Sequence, residues 1–198
     1  MRTPGLVRLA LAAGLLVGAA TAASARYEGD FNLFAGEKWL KSGDWEPVDQ
    51  QRQFGLMLAF GEERAAVHFA MDVFFASDDL GEVTVPPGAL VGGSSTELAI
   101  GIRKTWVHGA TRPHLGAGAN VIGVAEERRT GVSGTVTNED RGYGVWVDGG
   151  VSWRIATHLN LGIEARFSSV RAELGEGTAP LDVAAGGIHV GLLIGYGW

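Results

Sequence analysis

The side chains in this 198-residue chain that can do chemistry are carboxylates, guanidinium groups, imidazoles and hydroxyls, because cysteine is absent. Thiolate nucleophiles, Cys-ligated metals and disulfides are therefore excluded, and so is a lipid-modified N-terminal cysteine. Asp72, Glu97, Arg103, Asp148, Arg154, Glu164 and Arg166 occur singly among small residues, with Lys38, His68, His114 and His189 nearby. Acids and bases are nearly balanced in this set. Buried charge has to be paired, so the chemistry these residues favour is ion pairing in a low-dielectric interior. A narrow gated ion path is the second use of the same groups. The spacings that mark other chemistries are missing. Gly116-Ala117-Gly118 has no helix after it and makes no phosphate loop. The acidic loops lack EF-hand spacing. No cofactor or metal is expected.

Strands must position these charges. Strict alternation over about eight to twelve residues marks a strand with two different faces. Eight segments alternate: 31–36, 54–61, 67–76, 97–106, 114–121, 143–154, 159–168 and 187–198. One phase is large and apolar throughout, as in Leu98, Ile100 and Ile102, or Leu159, Leu161 and Ile163. The other is mostly Gly and Ala with the isolated charges above. A soluble barrel would be apolar inside and charged outside. Here the small phase suits a crowded interior and the apolar phase suits lipid. The expected fold is an all-β, eight-stranded antiparallel up-and-down transmembrane β-barrel. Closure satisfies every strand N–H and C=O in hydrocarbon.

The connections alternate as well. Residues 61–64, 108–112 and 156–158 are short; 41–52, 77–95, 126–141 and 171–184 are long. Short periplasmic turns and long extracellular loops are usual in bacterial barrels, and an even strand count puts both termini in the periplasm. Trp39 is expected at the outer interface, and Trp106, Trp153, Tyr196 and Trp198 at the periplasmic one. Lys104 is expected to face lipid and snorkel. Matching segments six and seven about their apolar centres sets Asp148 level with Glu164, and the same exercise sets His189 near Arg166.

Residues 1–25 are read as a cleaved signal peptide, leaving 26–198 as the barrel domain. Arg2 and Arg8 give the positive start, 9–20 the apolar stretch, and Ala23-Ser24-Ala25 the cleavage site. The apolar stretch is shorter than the roughly 20 residues of a spanning helix. Losing two of the 16 basic residues leaves a mature chain of formal charge −8. Such a chain is a poor partner for nucleic acid. The 31 glycines lie within alternating segments and form no linker.

The last segment ends on Trp198 with Tyr196, Ile194, Leu192 and Val190 at every second position before it. It resembles the C-terminal assembly signal of outer-membrane barrels, which implies insertion by the barrel assembly machinery. Over about residues 27–198 the chain is similar to the OmpA/OmpX-like eight-stranded barrels. That resemblance implies a Gram-negative outer membrane with lipid and lipopolysaccharide as surroundings. The peptidoglycan-binding domain of full-length OmpA has no counterpart, so a cell-wall tether is not expected. Other small barrels modify lipid A, and the deacylases among them use a His-x-Ser pair with a Glu. No histidine here has Ser two positions on, so an enzyme is the least favoured reading. A structural or surface-interaction role is preferred, with an extracellular ligand on the loops and Trp45 as the exposed contact to test. Other loop features are Pro86-Pro87-Gly88, Gly93-Ser94, Glu126-Glu127-Arg128-Arg129 and the acidic stretch 173–180.

Overall fold

The structure, a computed structural model, describes residues 27–79, 86, 89–130, 134–174 and 181–198. The expected signal peptide lies outside them, as do Pro87, Gly88 and 175–180 of the loops. In chain order come β1 (Tyr27–Trp39), α1 (Ser42–Trp45), β2 (Gln50–Glu62), β3 (His68–Asp79), β4 (Leu90–Thr105), β5 (Thr111–Thr130), β6 (Gly134–Ile155), β7 (Leu159–Leu174), β8 (Leu181–Ala184) and β9 (Gly187–Gly197). Neighbours from β1 to β7 pair antiparallel, β7 also pairs with β9, and β9 with β1. The ring has eight staves and no open edge.

The extra strand, β8, is not a ninth stave. Arg171 pairs with Ala184 and Ser168 with Gly187, in one common register. Between them the amides of Ala185 and Gly186 both point to the Val170 carbonyl, at 3.0 and 3.3 Å. Two donors sharing one acceptor interrupt the ladder without shifting it, so β8 and β9 form a single broken stave.

The registers also give the barrel its width. Following partners round the ring from Gly29 leads through Phe60, Phe69, Ile102, Ala117, Val147, Phe167 and Ile188 to Trp39. The path returns to β1 about ten residues higher. With rise and spacing typical of strands, that stagger over eight strands means a tilt of roughly 40°. Eight strands at this tilt enclose only enough room for side chains.

Alternation sorts the two faces. Phe54, Ile100, Leu115, Val145, Ile163 and Leu192 point outward, exposed in an apolar belt. Inward, Phe34, Met57, Phe74 and Leu193 make one cluster and Ala70, Ala99 and Trp146 another. The interior is thus filled by aromatic rings and is not the Gly-lined space that the small phase suggests. The glycines make room for those rings. A Cβ on Gly55 or Gly191 would run into Phe74 or Phe34, and one on Gly101 into Trp146.

Turns of 63–67, 106–110 and 156–158 mark one end, together with Tyr27 and Trp198. The opposite, loop end differs from expectation. Residues 126–141 are largely ladder, from Glu126↔Asn138 to Thr130↔Gly134, and Ser77↔Ser94 extends β3 and β4 likewise. Both faces meet water there, so the apolar period vanishes while the pairing continues. At about 3.4 Å per residue and this tilt, the β5–β6 hairpin rises roughly 20 Å beyond the apolar belt.

Candidate functional site

The charges that alternation turns inward meet at mid-barrel. Asp72 on β3, Glu97 and Arg103 on β4, Asp148 on β6, Glu164 and Arg166 on β7, and His189 on β9 are all buried. Arg103 Nη2 lies 3.0 Å from Asp72 Oδ2 and 2.5 Å from Asp148 Oδ2. Arg166 Nη1 donates to Asp72 Oδ2 and its Nη2 to Glu97 Oε1, both at 2.8 Å. Asp72 therefore sits between two guanidinium groups. Asn120 Nδ2 adds a bond to Glu97 Oε1 at 2.9 Å. Aromatic faces complete the enclosure: the Arg166 guanidinium carbon lies 4.2 Å from the Trp146 centroid and 4.9 Å from that of Phe74. Such contacts favour the cation where water is excluded.

The other charges divide along the axis. Towards the turn end, His114 Nε2 and Glu164 Oε2 are 2.6 Å apart. Further down, Arg154 pairs with Asp30, and Asn160 Nδ2 donates to Asp30 Oδ1 at 2.7 Å. His68 and Glu28 are 3.5 Å apart there. Towards the loop end, His189 Nδ1 meets Gln53 Oε1 at 2.9 Å and its Nε2 meets Ser168 Oγ at 3.0 Å. Lys38 is fully buried and donates to two neutral acceptors, Ser95 Oγ and the Ala185 carbonyl, both at 3.0 Å. Across the ladder from it, both polar atoms of the buried Gln51 amide lack a partner among the described residues.

Above this polar layer sits an apolar cap. Leu40, Trp45 and Val48 from the first connection pack on Leu90, Ile122, Val124, Val170, Ala172, Val183 and Ala185. Trp45 is only 1% exposed. Its Nε1 donates to the Ala184 carbonyl at 2.8 Å, and Asp44 Oδ2 accepts from the Ala184 amide at 3.0 Å. The reading of Trp45 as an exposed contact is therefore corrected. The four-residue α1 turns it downward into the barrel mouth, where ten apolar side chains exclude water. Sequence signals for this cap existed in Leu40, Trp45 and Val48, three large apolar residues in one loop.

Two further placements refine the expected register. Asp148 stands opposite Arg166, not Glu164, whose partner is Gly150; the shift is two residues, which leaves both on the inner face. His189 stands opposite Arg166, as the expected register has it. Trp39, Trp106 and Trp153 are exposed at strand ends, and Lys104 Nζ lies 5.5 Å from the Trp106 centroid. Val190, Leu192, Ile194 and Tyr196 are exposed on the outer face of β9. Trp198 is less exposed than these. Its ring covers Gly29, and it lines a small cavity at the turn end with Glu28, His68 and Arg112. Phe34, Phe74 and Trp146 were inward by phase, but nothing in their spacing announces that they fill the lumen.

Beyond the belt, the β5–β6 hairpin holds its own ion pair. Arg128 Nε and Nη2 donate to the two oxygens of Glu126, both at 2.9 Å, and Asn138 Nδ2 adds a third bond at 2.9 Å. Burial opposes charge on Glu126, but the bonds from Arg128 and Asn138 outweigh it and hold the carboxyl below its usual range. His158 and His108 lie at the turn end, the first donating from Nδ1 to the Gly197 carbonyl at 2.7 Å. Among the described residues no three His, Asp or Glu side chains are grouped to hold a metal.

No family model and no curated protein matches the chain by sequence. Solved structures do match. The barrel is similar to Ail, the attachment invasion locus protein of Yersinia pestis, crystallised with the heparin analogue sucrose octasulfate. The TM-score is 0.58 at 8% identity, covering 87% of this chain and 99% of that one. It is also similar to the N-terminal β-barrel domain of Pseudomonas aeruginosa OprF, with a TM-score of 0.52 at 9% identity over 86% and 97% of the two chains. At such identities the likeness concerns the fold, a closed eight-stranded antiparallel β-barrel.

Proposed function

We propose that this eight-stranded barrel stands in a Gram-negative outer membrane as a closed, non-conducting scaffold whose role lies at its outer surface and loops. The observation that carries this is the sealed lumen. Arg103 and Arg166 are tied to Asp72, Asp148 and Glu97, Trp146 and Phe74 pack against them, and Trp45 caps the mouth. Charges tied in ion pairs, with aromatic rings packed on them and an apolar cap above, argue against a gated pore. Export by a signal peptide cleaved after Ala25 and insertion through the assembly signal ending at Trp198 belong to the same proposal.

An enzyme that modifies lipid would need its acid, base and nucleophile on the outer face near the outer leaflet. Among the described residues the inward histidines are engaged in the lumen, and His108 and His158 lie at the opposite end. This supports a non-enzymatic role. The loops that remain for recognition rest on rigid hairpins, which suits a binding surface. Ail with sucrose octasulfate is one barrel of this fold that carries a ligand in a crystal.

The test is planar-bilayer conductance of the purified, folded barrel, with heat-modifiable gel mobility to establish folding. The expected result is a folded band and no channel events. Stable single-channel steps from the wild-type chain would overturn the closed-scaffold reading.

A further inference from the structure

Beneath the apolar cap, two buried polar side chains stand side by side with bonding capacity unused. Lys38 on β1 and Gln51 on β2 are direct partners across an antiparallel ladder, and both are fully buried. Inward side chains so placed leave their strands about 5 Å apart. An ammonium group has three protons to donate. Lys38 gives two, to Ser95 Oγ and to the Ala185 carbonyl, both at 3.0 Å. The third has no acceptor among the described residues. The Gln51 amide both donates and accepts, yet neither its Nε2 nor its Oε1 has a partner there. Among the described residues it is the only buried side chain with both polar ends unpaired. Buried polar groups are almost always hydrogen-bonded, to protein or to ordered water.

The surroundings keep room beside this amide and close it off. A Cβ on Gly93 of β4 would stand 3.0 Å from Gln51 Nε2 and 3.0 Å from Val48 Cγ2. Glycine at 93 therefore leaves the amide its space, while Trp45 and Val48 of the cap lie over it. The break between β8 and β9 is gripped from both sides at the same place. Lys38 holds the Ala185 carbonyl from below, and Trp45 and Asp44 hold Ala184 from above.

Charge decides what can bind here. Lys38, Arg103 and Arg166 balance Asp72, Asp148 and Glu97 in the buried lumen, and His114 with Glu164 makes a separate pair. An added anion would be buried without a counter-charge, and an added cation would face the ammonium group. A neutral molecule that accepts from Lys38 and bonds an amide meets both demands. We propose that the space between Lys38 and Gln51 is a binding site for a single water molecule that bridges the two. Buried water usually makes about three hydrogen bonds, and the third ammonium proton and the two ends of the amide offer that number.

The experiment is a crystal structure of the folded barrel grown in sodium bromide, read for density and for bromide anomalous signal. A water peak within hydrogen-bond distance of Lys38 Nζ and the Gln51 amide, with no anomalous signal, is expected. A bromide peak at that position overturns the neutral ligand. Lys38 bonded directly to Gln51, with no peak between them, overturns the site. Gln51→Leu, with its folding established by heat-modifiable gel mobility, is expected to lose the peak. A peak unchanged in the folded variant overturns Gln51 as a partner.

Discussion

At the scale of single residues, Arg166 has the most to lose. It serves Asp72 and Glu97 at once and lies over Trp146. Removing one member of a buried pair strands the other, at a cost of about 3–5 kcal/mol. Arg166→Ala should lower the unfolding free energy in detergent by that amount and the denaturant midpoint with it, with Arg103→Ala close behind because it takes from Asp148 its nearest cation. Urea titration followed by Trp fluorescence measures both, and an unchanged midpoint in both variants would mean the pairs do not hold the barrel. Glu126 gives a pH-dependent counterpart outside the membrane. Its folded-state carboxyl is held low, so its contribution is present above the ordinary carboxylate value and lost as pH falls through the lowered one. Below about pH 4 the β5–β6 tip should become open to an acid-active protease such as pepsin. Glu126→Gln should make cleavage at the tip less dependent on pH.

Between residues and molecule stand the elements, where the first connection matters most. Trp45→Ala removes the largest side chain of the apolar cap, and a buried Trp-to-Ala change costs roughly 3–5 kcal/mol. The loss should be local, because the strand ladders below remain whole. The expected signature is rapid amide exchange from residues 41 to 49 and at Ala184, with β1–β3 still protected. Uniformly accelerated exchange would mean the cap is part of the global fold. The strands themselves could be read from the sequence because lipid and a crowded lumen impose opposite demands on successive side chains. That is why Ile100 and Arg103 fall on their proper faces by counting alone. Partner choice could not be read the same way. Asp148 reaches Arg166 across the β6–β7 ladder and Arg103 across the β4–β5 and β5–β6 ladders, and a two-residue slip in any of them preserves every inside and outside assignment. The hairpin beyond Glu126 was hidden for a different reason: both of its faces meet water, so its pairing leaves no apolar period. Trp45 was misread because a loop that folds inward has no periodicity to declare it.

For the whole molecule, closure is carried by β1 and β9, from Asp30↔Gly197 to Trp39↔Ile188. The amide of Trp198 bonds the Gly29 carbonyl at 3.0 Å, and that of Gly29 returns the bond at 3.3 Å. Trp198→Ala keeps those bonds and removes the ring over Gly29. It should slow insertion into lipid vesicles several-fold and shift the folded band little, as read by time-resolved gel mobility. Equal rates would assign the ring no part in closing the barrel. The seam also has a meaning for biosynthesis. The first strand to emerge must wait for the last, since its other edge has no partner until β9 arrives. A chain that stops early leaves two unpaired edges in a medium where unpaired backbone is costly. Closure is therefore all or none: only a chain that reaches its last strand can satisfy the open edge of its first.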